Sequence, residues 1–186
     1  MKLKRYTPEY LKYWHNKEEI DIPEYQYKEE NVRGCWISNV MNIDTPKCTD
    51  VEAYKKHLVG ILDNMQSYNM NLAVFQVRPC NDAYYPSKLN PWSRFVTGTE
   101  GKDPGFDVLG FFIEEAKKRN IKVHAWMNPY RVSTVDIRNL NMTKEEFLDT
   151  LSENNWARLN KEHTILDGVH KIILSPSHPE VIDFVT

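Results

Sequence analysis

Hydrophobic positions from Arg33 onward alternate between short apolar runs and longer stretches with three- and four-residue spacing. Short apolar runs indicate strands, and the longer periodic stretches indicate amphipathic helices. An alternation of the two is typical of strand-helix units around a parallel sheet. Residues 1–31 are instead rich in Lys, Glu and Tyr without a sustained period, so they predict an irregular arm or a short helix.

Four apolar runs are predicted to be strands of one parallel sheet. They are residues 34–40, 71–79, 121–129 and 170–176, and a helical pattern follows each of them. Capping signals predict where these helices begin. Thr49 and Thr143 each stand three residues before a Glu, which is the spacing of a capping box. Asp107 is a typical N-cap, and Pro179 suits the first turn of the last helix.

The four strand-helix units predict an α/β fold, and two architectures fit them. Eight such units would need somewhat more than roughly 300 residues, which is in the size range of a (β/α)8 TIM barrel. The chain would then be a partial barrel of about four units, cut short at Thr186 inside its fourth helix. The alternative is a small, open, doubly wound sheet. No Gly-rich phosphate loop follows a strand, so the usual nucleotide ligand of that fold is not indicated.

Composition and charge argue against several functions. With 186 residues, 41% of them hydrophobic, the chain can bury a core. A formal charge of -2 without a basic run does not suit nucleic acid. The three cysteines are far apart and form no C-x-x-C pair, so they indicate neither a disulfide framework nor a zinc site. No apolar run of about 18 residues and no signal peptide is visible, so no transmembrane segment is predicted.

Alternation along the second and third strands separates polar from apolar side chains. Gln76 and Arg78 share one side of the second strand, and His124, Trp126 and Asn128 share one side of the third. The opposite, apolar sides are predicted to face the helices. The polar sides are predicted to face the barrel interior, with their last members near the carboxyl ends where ligands bind. Hydrogen-bond networks that only fill the core are the alternative for these polar groups.

The long loop after the second strand carries the rings of Tyr84, Tyr85, Trp92 and Phe95 among polar residues. Flat rings bordered by polar groups suit a sugar, which presents apolar C–H patches next to hydroxyls. Packing of the loop onto the barrel is the alternative, and at least two of the four rings are expected to do only that.

Catalytic groups are less evident. Glycoside hydrolysis normally uses two carboxyl groups about 5 to 10 Å apart. Asp82 is the preferred ligand contact and a weak catalytic candidate, with Asp44 behind it, and no convincing pair is visible. No two of the six histidines pair at ligand spacing on a strand end, so no metal is predicted, and no other cofactor is indicated. No G-x-S-x-G motif supports a nucleophilic serine.

Several ordered blocks resemble the glycosyl hydrolase-like 10 family of bacterial envelope proteins, from about Val32 to the end of the chain. The blocks are Arg33-Gly-Cys-Trp36, Phe75-Gln-Val-Arg-Pro79, Asp82-Ala-Tyr-Tyr-Pro-Ser87, Pro91-Trp-Ser93, Thr97-Gly-Thr99, Gly101-Lys-Asp-Pro-Gly105 and His124-Ala-Trp-Met-Asn-Pro-Tyr-Arg131. The resemblance implies a (β/α)8 barrel that acts on a glycan of the peptidoglycan type. Candidate substrate-binding residues are Arg78, Asp82, Tyr84, Tyr85, Trp92, His124, Trp126, Asn128, Tyr130 and Arg131.

This chain also departs from the pattern of the family it resembles. Where the family has Leu-Asn-Pro-Gly-x-Pro-Glu-Val, this chain has Ser175 and Ser177 in place of Asn and Gly. The family's Asp-Asp motif would follow the next strand, beyond Thr186, so the chain is expected to supply substrate-binding walls without the main catalytic acids. Family members are usually exported, whereas the chain itself leaves its localisation open.

Two hypotheses follow from the sequence. In the first, the chain is the N-terminal half of a glycoside-hydrolase barrel. In the second, it is a non-catalytic glycan-binding or scaffold module derived from such a barrel. Either way, unpaired edges at the first and fourth strands predict self-association.

Overall fold

The computed structural model describes residues 2, 9–22, 24 and 31–186. The chain divides into two compact units, residues 1–31 and 32–186. Within the described part of the first unit, Ile20 N–H donates to Leu11 O at 2.8 Å and forms part of a short antiparallel turn. The rest of the arm predicted for residues 1–31 lies outside the described residues.

The second unit contains the regular elements. The strands are β1 Gly34–Ile37, β2 Leu72–Arg78, β3 Lys122–Met127, β4 Thr164–Leu166 and β5 Ile172–Leu174. The helices are α1 Val51–Ser67, α2 Arg94–Thr97, α3 Val108–Lys118, α4 Lys144–Asp149, α5 Trp156–Leu159 and α6 Pro179–Val185, with short 3-10 turns at Val40–Asn42, Ile137–Leu140 and Lys161–His163. No helix among the described residues is both long and apolar enough to span a membrane.

The first three strands form a parallel sheet in the order β1-β2-β3. Gly34 pairs with Leu72, and a Cβ built on this glycine would lie 3.0 Å from Leu72 O. A larger residue would therefore push the first strand away from the second. This mixed architecture confirms the predicted α/β class. The two edge strands of the parallel sheet are β1 and β3.

The helices cover the apolar side of β2, as the alternation predicts, but the same prediction is wrong for β3, where Ala125 and Met127 are exposed. Ala73, Phe75 and Val77 are fully buried on β2. They belong to the same core as Leu58 of α1 and Phe112 of α3. The rings of Phe75 and Phe112 stack with centroids 4.2 Å apart. This packing fixes the apolar side of β2 against α1 and α3.

The prediction that the fourth apolar run joins the parallel sheet is wrong. β5 pairs antiparallel with β4 in a separate two-stranded sheet. The reason lies in the short connection between them, residues 167–171, because a short loop can join two antiparallel strands whereas parallel strands need a long crossover. The carboxylate of Asp167 closes the turn by accepting from Val169 N–H and Lys171 N–H at 2.9 and 2.8 Å. β5 also meets the segment after β3, where Arg131 and Ile173 form an antiparallel bridge.

Helix starts follow the predicted caps with one correction. Asp107 and Thr143 are N-caps, and Thr143 forms the complete capping box with Glu146. The predicted capping box at Thr49 is wrong. Asp50 is the N-cap of α1 instead, with its carboxylate accepting from Ala53 N–H. An Asp one residue later offers the same acceptor and adds a favourable charge at the helix N-terminus.

Candidate functional site

The carboxyl ends of β1, β2 and β3 are joined by one buried amide. Gln76 Oε1 accepts from the backbone N–H groups of Asn39 and Val40 at 3.0 and 2.9 Å. Its Nε2 donates to Asn128 Oδ1 at 2.6 Å. Asn39 returns a bond from its own amide to Gln76 O at 2.6 Å. Gln76 therefore holds three strand ends together, and both its oxygen and its nitrogen are engaged within the sheet.

Arg78 closes β2 and contrasts with Gln76. Its side chain is only 6% exposed, yet Nε and Nη2 have no hydrogen-bond partner among the described residues. The guanidinium lies 5.2 Å from the ring centroid of Phe184 in α6. Burial lowers the pKa of Arg78. A buried guanidinium with free donors is suited to binding an oxygen-rich ligand.

The loop that follows β2 contains further buried polar groups. Asp82 is fully buried, and its Oδ1 accepts from Cys80 N–H at 2.8 Å, while Oδ2 lacks a partner among the described residues. Burial raises the pKa of Asp82 to about 6. Unpaired buried atoms also occur on Asn81, Asn90 and Arg94. Asp82 is therefore enclosed in this structure, and its carboxylate presents no oxygen at the surface.

A carboxylate that the sequence reasoning missed anchors this loop. Glu100 Oε1 accepts from Asn155 Nδ2 at 2.8 Å and from Ser152 N–H at 3.1 Å. Asn155 Nδ2 also donates to Asn81 O at 3.0 Å. Burial raises the pKa of Glu100. More than fifty residues separate Glu100 from Asn155, and no spacing pattern in the sequence could have paired them.

The aromatic residues of the loop are more buried than a sugar platform requires. Tyr84 is 0% exposed, and its hydroxyl donates to Asn39 O at 3.3 Å. Tyr85, Trp92 and Phe95 are partly buried and pack against the core of the sheet and helices. Tyr84 therefore stabilises the loop in this conformation, and the other three rings keep some surface for a ligand.

The polar side of β3 is open rather than enclosed. His124 is exposed, Trp126 is half-buried, and Trp36 on β1 is 66% exposed. The two indole rings meet edge to face with centroids 5.0 Å apart. The interior position predicted for His124 and Trp126 is therefore not enclosed by the described residues. Together the rings form an aromatic surface on the side of the sheet away from the helices.

A pocket of about 360 Å³ lies where the chain leaves β3. Three predicted site residues, Asn128, Tyr130 and Arg131, contribute to it. Asp167 and Lys171 from the β4–β5 hairpin form another part of its wall, and sequence reasoning did not include them. Arg131 is held in place because its Nη1 donates to Pro79 O at 3.3 Å. The pocket thus combines a phenol, an amide and charges of both signs.

One group of metal-ligating side chains also comes together among the described residues. His163, His178 and Glu180 each offer a ligand atom, and these atoms lie within 4.8 Å of one another. The spacing of 15 residues between the two histidines conceals this arrangement in the sequence.

Comparison with known proteins places these features in a wider context. The sequence model described as Glycosyl hydrolase-like 10 matches residues 31–186. Glycosyl hydrolase YngK of Bacillus subtilis is 40% identical over 159 residues, covering 84% of this chain and 29% of the relative. Glycosyl hydrolase DigH of Escherichia coli K12 is 35% identical over 176 residues, covering 87% of this chain and 38% of the relative. The chain therefore spans about a third of the length of these relatives.

Proposed function

The chain belongs to the glycosyl hydrolase-like 10 family, and from that premise we propose that it forms substrate-binding walls of a glycoside-hydrolase site. The proposed ligand is a glycan of the peptidoglycan type. The observation that carries the proposal is the pocket after β3, where Asn128, Tyr130 and Arg131 lie together with Asp167 and Lys171. Such a mixture of an aromatic ring with donors and acceptors suits a sugar that bears amide and carboxylate groups.

The proposal includes the fold in which these walls would work. Residues 32–186 would be part of a (β/α)8 barrel, preceded by an arm at residues 1–31. The parallel order β1-β2-β3, with α1 and α3 on one face, supports this arrangement. In such a barrel the carboxyl ends of the strands face the substrate. Arg78, at the end of β2, and Asn128, just after β3, lie at that edge of the sheet.

Cleavage is not expected from the carboxyl groups near this site. Asp82 is buried within its loop, and Asp167 uses one oxygen to close the β4–β5 turn. A glycosidase needs an acid and a second carboxylate that reach opposite sides of one bond. We therefore propose that the chain binds glycan and contributes little hydrolysis by itself.

Binding is tested with purified peptidoglycan sacculi and the intact chain. We expect the protein to sediment with sacculi, and Tyr130→Ala with Arg131→Gln to reduce the bound fraction at least tenfold. Arg138→Gln is the matched control, because Arg138 is exposed and pairs with Asp136 outside the pocket. Equal binding by all three proteins would refute the pocket as the glycan site. Release of soluble sugar by the chain alone would contradict the expected lack of hydrolysis.

The competing function is a glycan-binding module whose site has diverged from catalysis. One observation favours it: Ser175 and Ser177, which replace the usual Asn and Gly, bind each other through their hydroxyls at 2.9 Å. A chimera separates the two functions, with residues 31–186 replacing the matching segment of YngK. Walls of a hydrolase should preserve the glycan cleavage of the parent within about tenfold, a change of about 1.4 kcal/mol. Loss of cleavage with retained binding would favour the module.

Self-association was predicted for the edges of the first and fourth strands, and because β5 does not join the parallel sheet, we propose it for the edges β1 and β3. Exposed edges offer unpaired backbone groups to a second strand. Sedimentation velocity over a range of concentrations tests it. A single monomeric species at all concentrations would refute it.

A further inference from the structure

The β4–β5 hairpin and the start of α6 form a second candidate site, separate from the glycan pocket. We propose that His163, His178 and Glu180 bind one divalent transition-metal ion of the zinc class. Their ligand atoms lie within 4.8 Å of one another. The proposal does not depend on the glycan function, since it rests on these side chains alone.

Backbone pairing brings the three residues together without help from a ligand. Thr164 pairs with Leu174 in the β4–β5 sheet, and Ser175 N–H donates to His163 O at 2.8 Å. The chain then turns into α6, which begins at Pro179. His163 before the hairpin and the residues after it are therefore held at a fixed separation. A site whose backbone is already ordered loses less entropy when it binds a ligand.

One ring nitrogen of His163 is available as a ligand atom, while its Nε2 lies 3.5 Å from the Glu162 carboxylate. Nδ1 of His163 is buried and has no hydrogen-bond partner among the described residues. His178 is the N-cap of α6, but its side chain makes no capping bond. The two rings lie 4.7 Å apart between centroids, at 78° to each other. An unpaired buried ring nitrogen is costly unless something binds it, and a metal ion is the ligand for which two imidazoles and a carboxylate are suited.

The distances require only small side-chain rotations. Zinc–nitrogen bonds of about 2.0–2.1 Å in a tetrahedron place neighbouring ligand atoms on the order of 3.3 Å apart. Closing the present separations therefore takes no more than about 1.5 Å of movement. Glu180 is exposed and free to rotate toward the imidazoles. Two imidazoles and one carboxylate form the set that catalytic zinc sites use, with a fourth position open to water.

An aromatic wall lies behind the site. Trp156 is 5.8 Å from the His163 ring and stacks on Phe184 at 4.6 Å. Apolar surroundings of this kind strengthen binding by limiting solvent access. Aromatic packing would account for His163 and, through the edge-to-face contact of the two rings, for His178, but it gives no reason for the approach of the Glu180 carboxylate. A metal ion accounts for all three residues.

Metal binding is measured on the intact chain after dialysis against a chelator. Zn²⁺ is titrated in competition with a chromophoric chelator, and Co²⁺ is added separately to record visible absorption. We expect one ion per chain, Co²⁺ bands typical of a low-symmetry site, and a higher melting temperature with Zn²⁺. Mg²⁺ should produce no shift, because it prefers an all-oxygen site.

Variants then assign the ligands. His178→Ala and Glu180→Gln should each weaken Zn²⁺ binding by more than about tenfold and abolish the rise in melting temperature. His57→Gln is the matched control, because this histidine is exposed on α1, where its Nε2 lies 2.9 Å from the backbone oxygen of Asp44. Unchanged Zn²⁺ affinity in the first two variants, or no binding by the parent protein, would overturn the proposal. Glycan binding by the same variants should be unaffected, so the two proposals fail independently.

Discussion

Two polar clusters meet at the end of β2, and they differ in how completely their atoms are paired. Gln76 binds the backbone of the 39–40 turn with its oxygen and Asn128 with its nitrogen. Around Arg78 and Asp82, buried nitrogen and oxygen atoms lack partners among the described residues. Each unpaired buried group costs about 1–3 kcal/mol. The first cluster therefore stabilises the sheet, while the second lowers stability by an amount that a polar ligand would offset.

The difference arises within two residues of one strand. Gln76 lies opposite the turn after β1, which supplies N–H groups at the right distance. Between Gln76 and Arg78, the pairing of β2 with β3 shifts in register. Arg78, the last residue of β2, pairs with Met127 after this shift, and its Nε and Nη2 find no acceptor among the described residues. A polar residue at a strand end is thus a binding candidate when its atoms remain unpaired, and residue type alone does not decide this.

Removing the paired amide is expected to have the largest effect. Gln76→Ala leaves the N–H groups of Asn39 and Val40 and the side chain of Asn128 without partners, and it creates a cavity. We expect the free energy of unfolding to fall by roughly 3 kcal/mol. Urea denaturation followed by tryptophan fluorescence measures it. Lys122→Gln on exposed β3 is the control and should change stability by less than about 0.5 kcal/mol.

If Gln76→Ala unfolds too readily to measure, Gln76→Leu provides the same information. Leucine keeps most of the side-chain volume but removes both hydrogen-bonding atoms, so no large cavity forms and a smaller loss is expected. A loss below about 1 kcal/mol in both variants would show that the pairing contributes little.

The buried carboxyl of Asp82 gives the next effect, and it depends on pH. Burial raises its pKa to about 6, above the value of about 3.9 in an unfolded chain. Between these values the folded protein holds a proton that the unfolded chain releases. The contribution of this group to stability is therefore gained as the pH falls from about 7 to about 4, and ionisation above the folded pKa destabilises the fold.

Asp82→Asn removes the charge and keeps the oxygen that accepts from Cys80. We expect the variant to be more stable than the parent by on the order of 2 kcal/mol at about pH 7.5, with the advantage lost near pH 4. Paired carboxylates such as Asp136, whose pKa is lowered to about 2 by Arg138, change stability in the opposite direction on acidification. The difference between the two proteins at each pH cancels those groups. A constant difference across the range would contradict the raised pKa.

Local patterns in the sequence predicted much of the fold. Strand alternation predicted that Phe75 and its neighbours would face the helices, and capping chemistry predicted the starts of α3 and α4. These features depend on residues that are close in the chain. The pairing of β5 was missed because it depends on the Asp167 turn and on competition between two sheets. Single-sequence periodicity contains no information about which strand a run will join.

The candidate site was only partly predictable for the same reason. Arg78 and Asn128 could be found because parallel strands place their carboxyl ends at one edge. Whether Gln76 or Arg78 would remain unpaired depended on contacts with the 39–40 turn and on the register shift between Gln76 and Arg78 in β2. Glu100 and the His163–His178 pair are brought together only by tertiary contacts. The sequence showed which residue types were available, but it did not show which side chains would contact one another.

The smallest effect on stability is expected at Arg78, the residue of the unpaired cluster that lies two positions from Gln76. Arg78→Met keeps an aliphatic stem and removes the unpaired nitrogens together with the guanidinium contact to the Phe184 ring. Because a buried charge without partners gains little from the fold, stability should stay the same or rise by about 1 kcal/mol. Binding to sacculi should fall at least tenfold, since the variant lacks the donors proposed to meet the glycan. Arg138→Met, on the surface, should change neither quantity. A loss of more than about 2 kcal/mol in Arg78→Met, with unchanged binding, would assign Arg78 to the structural cluster with Gln76.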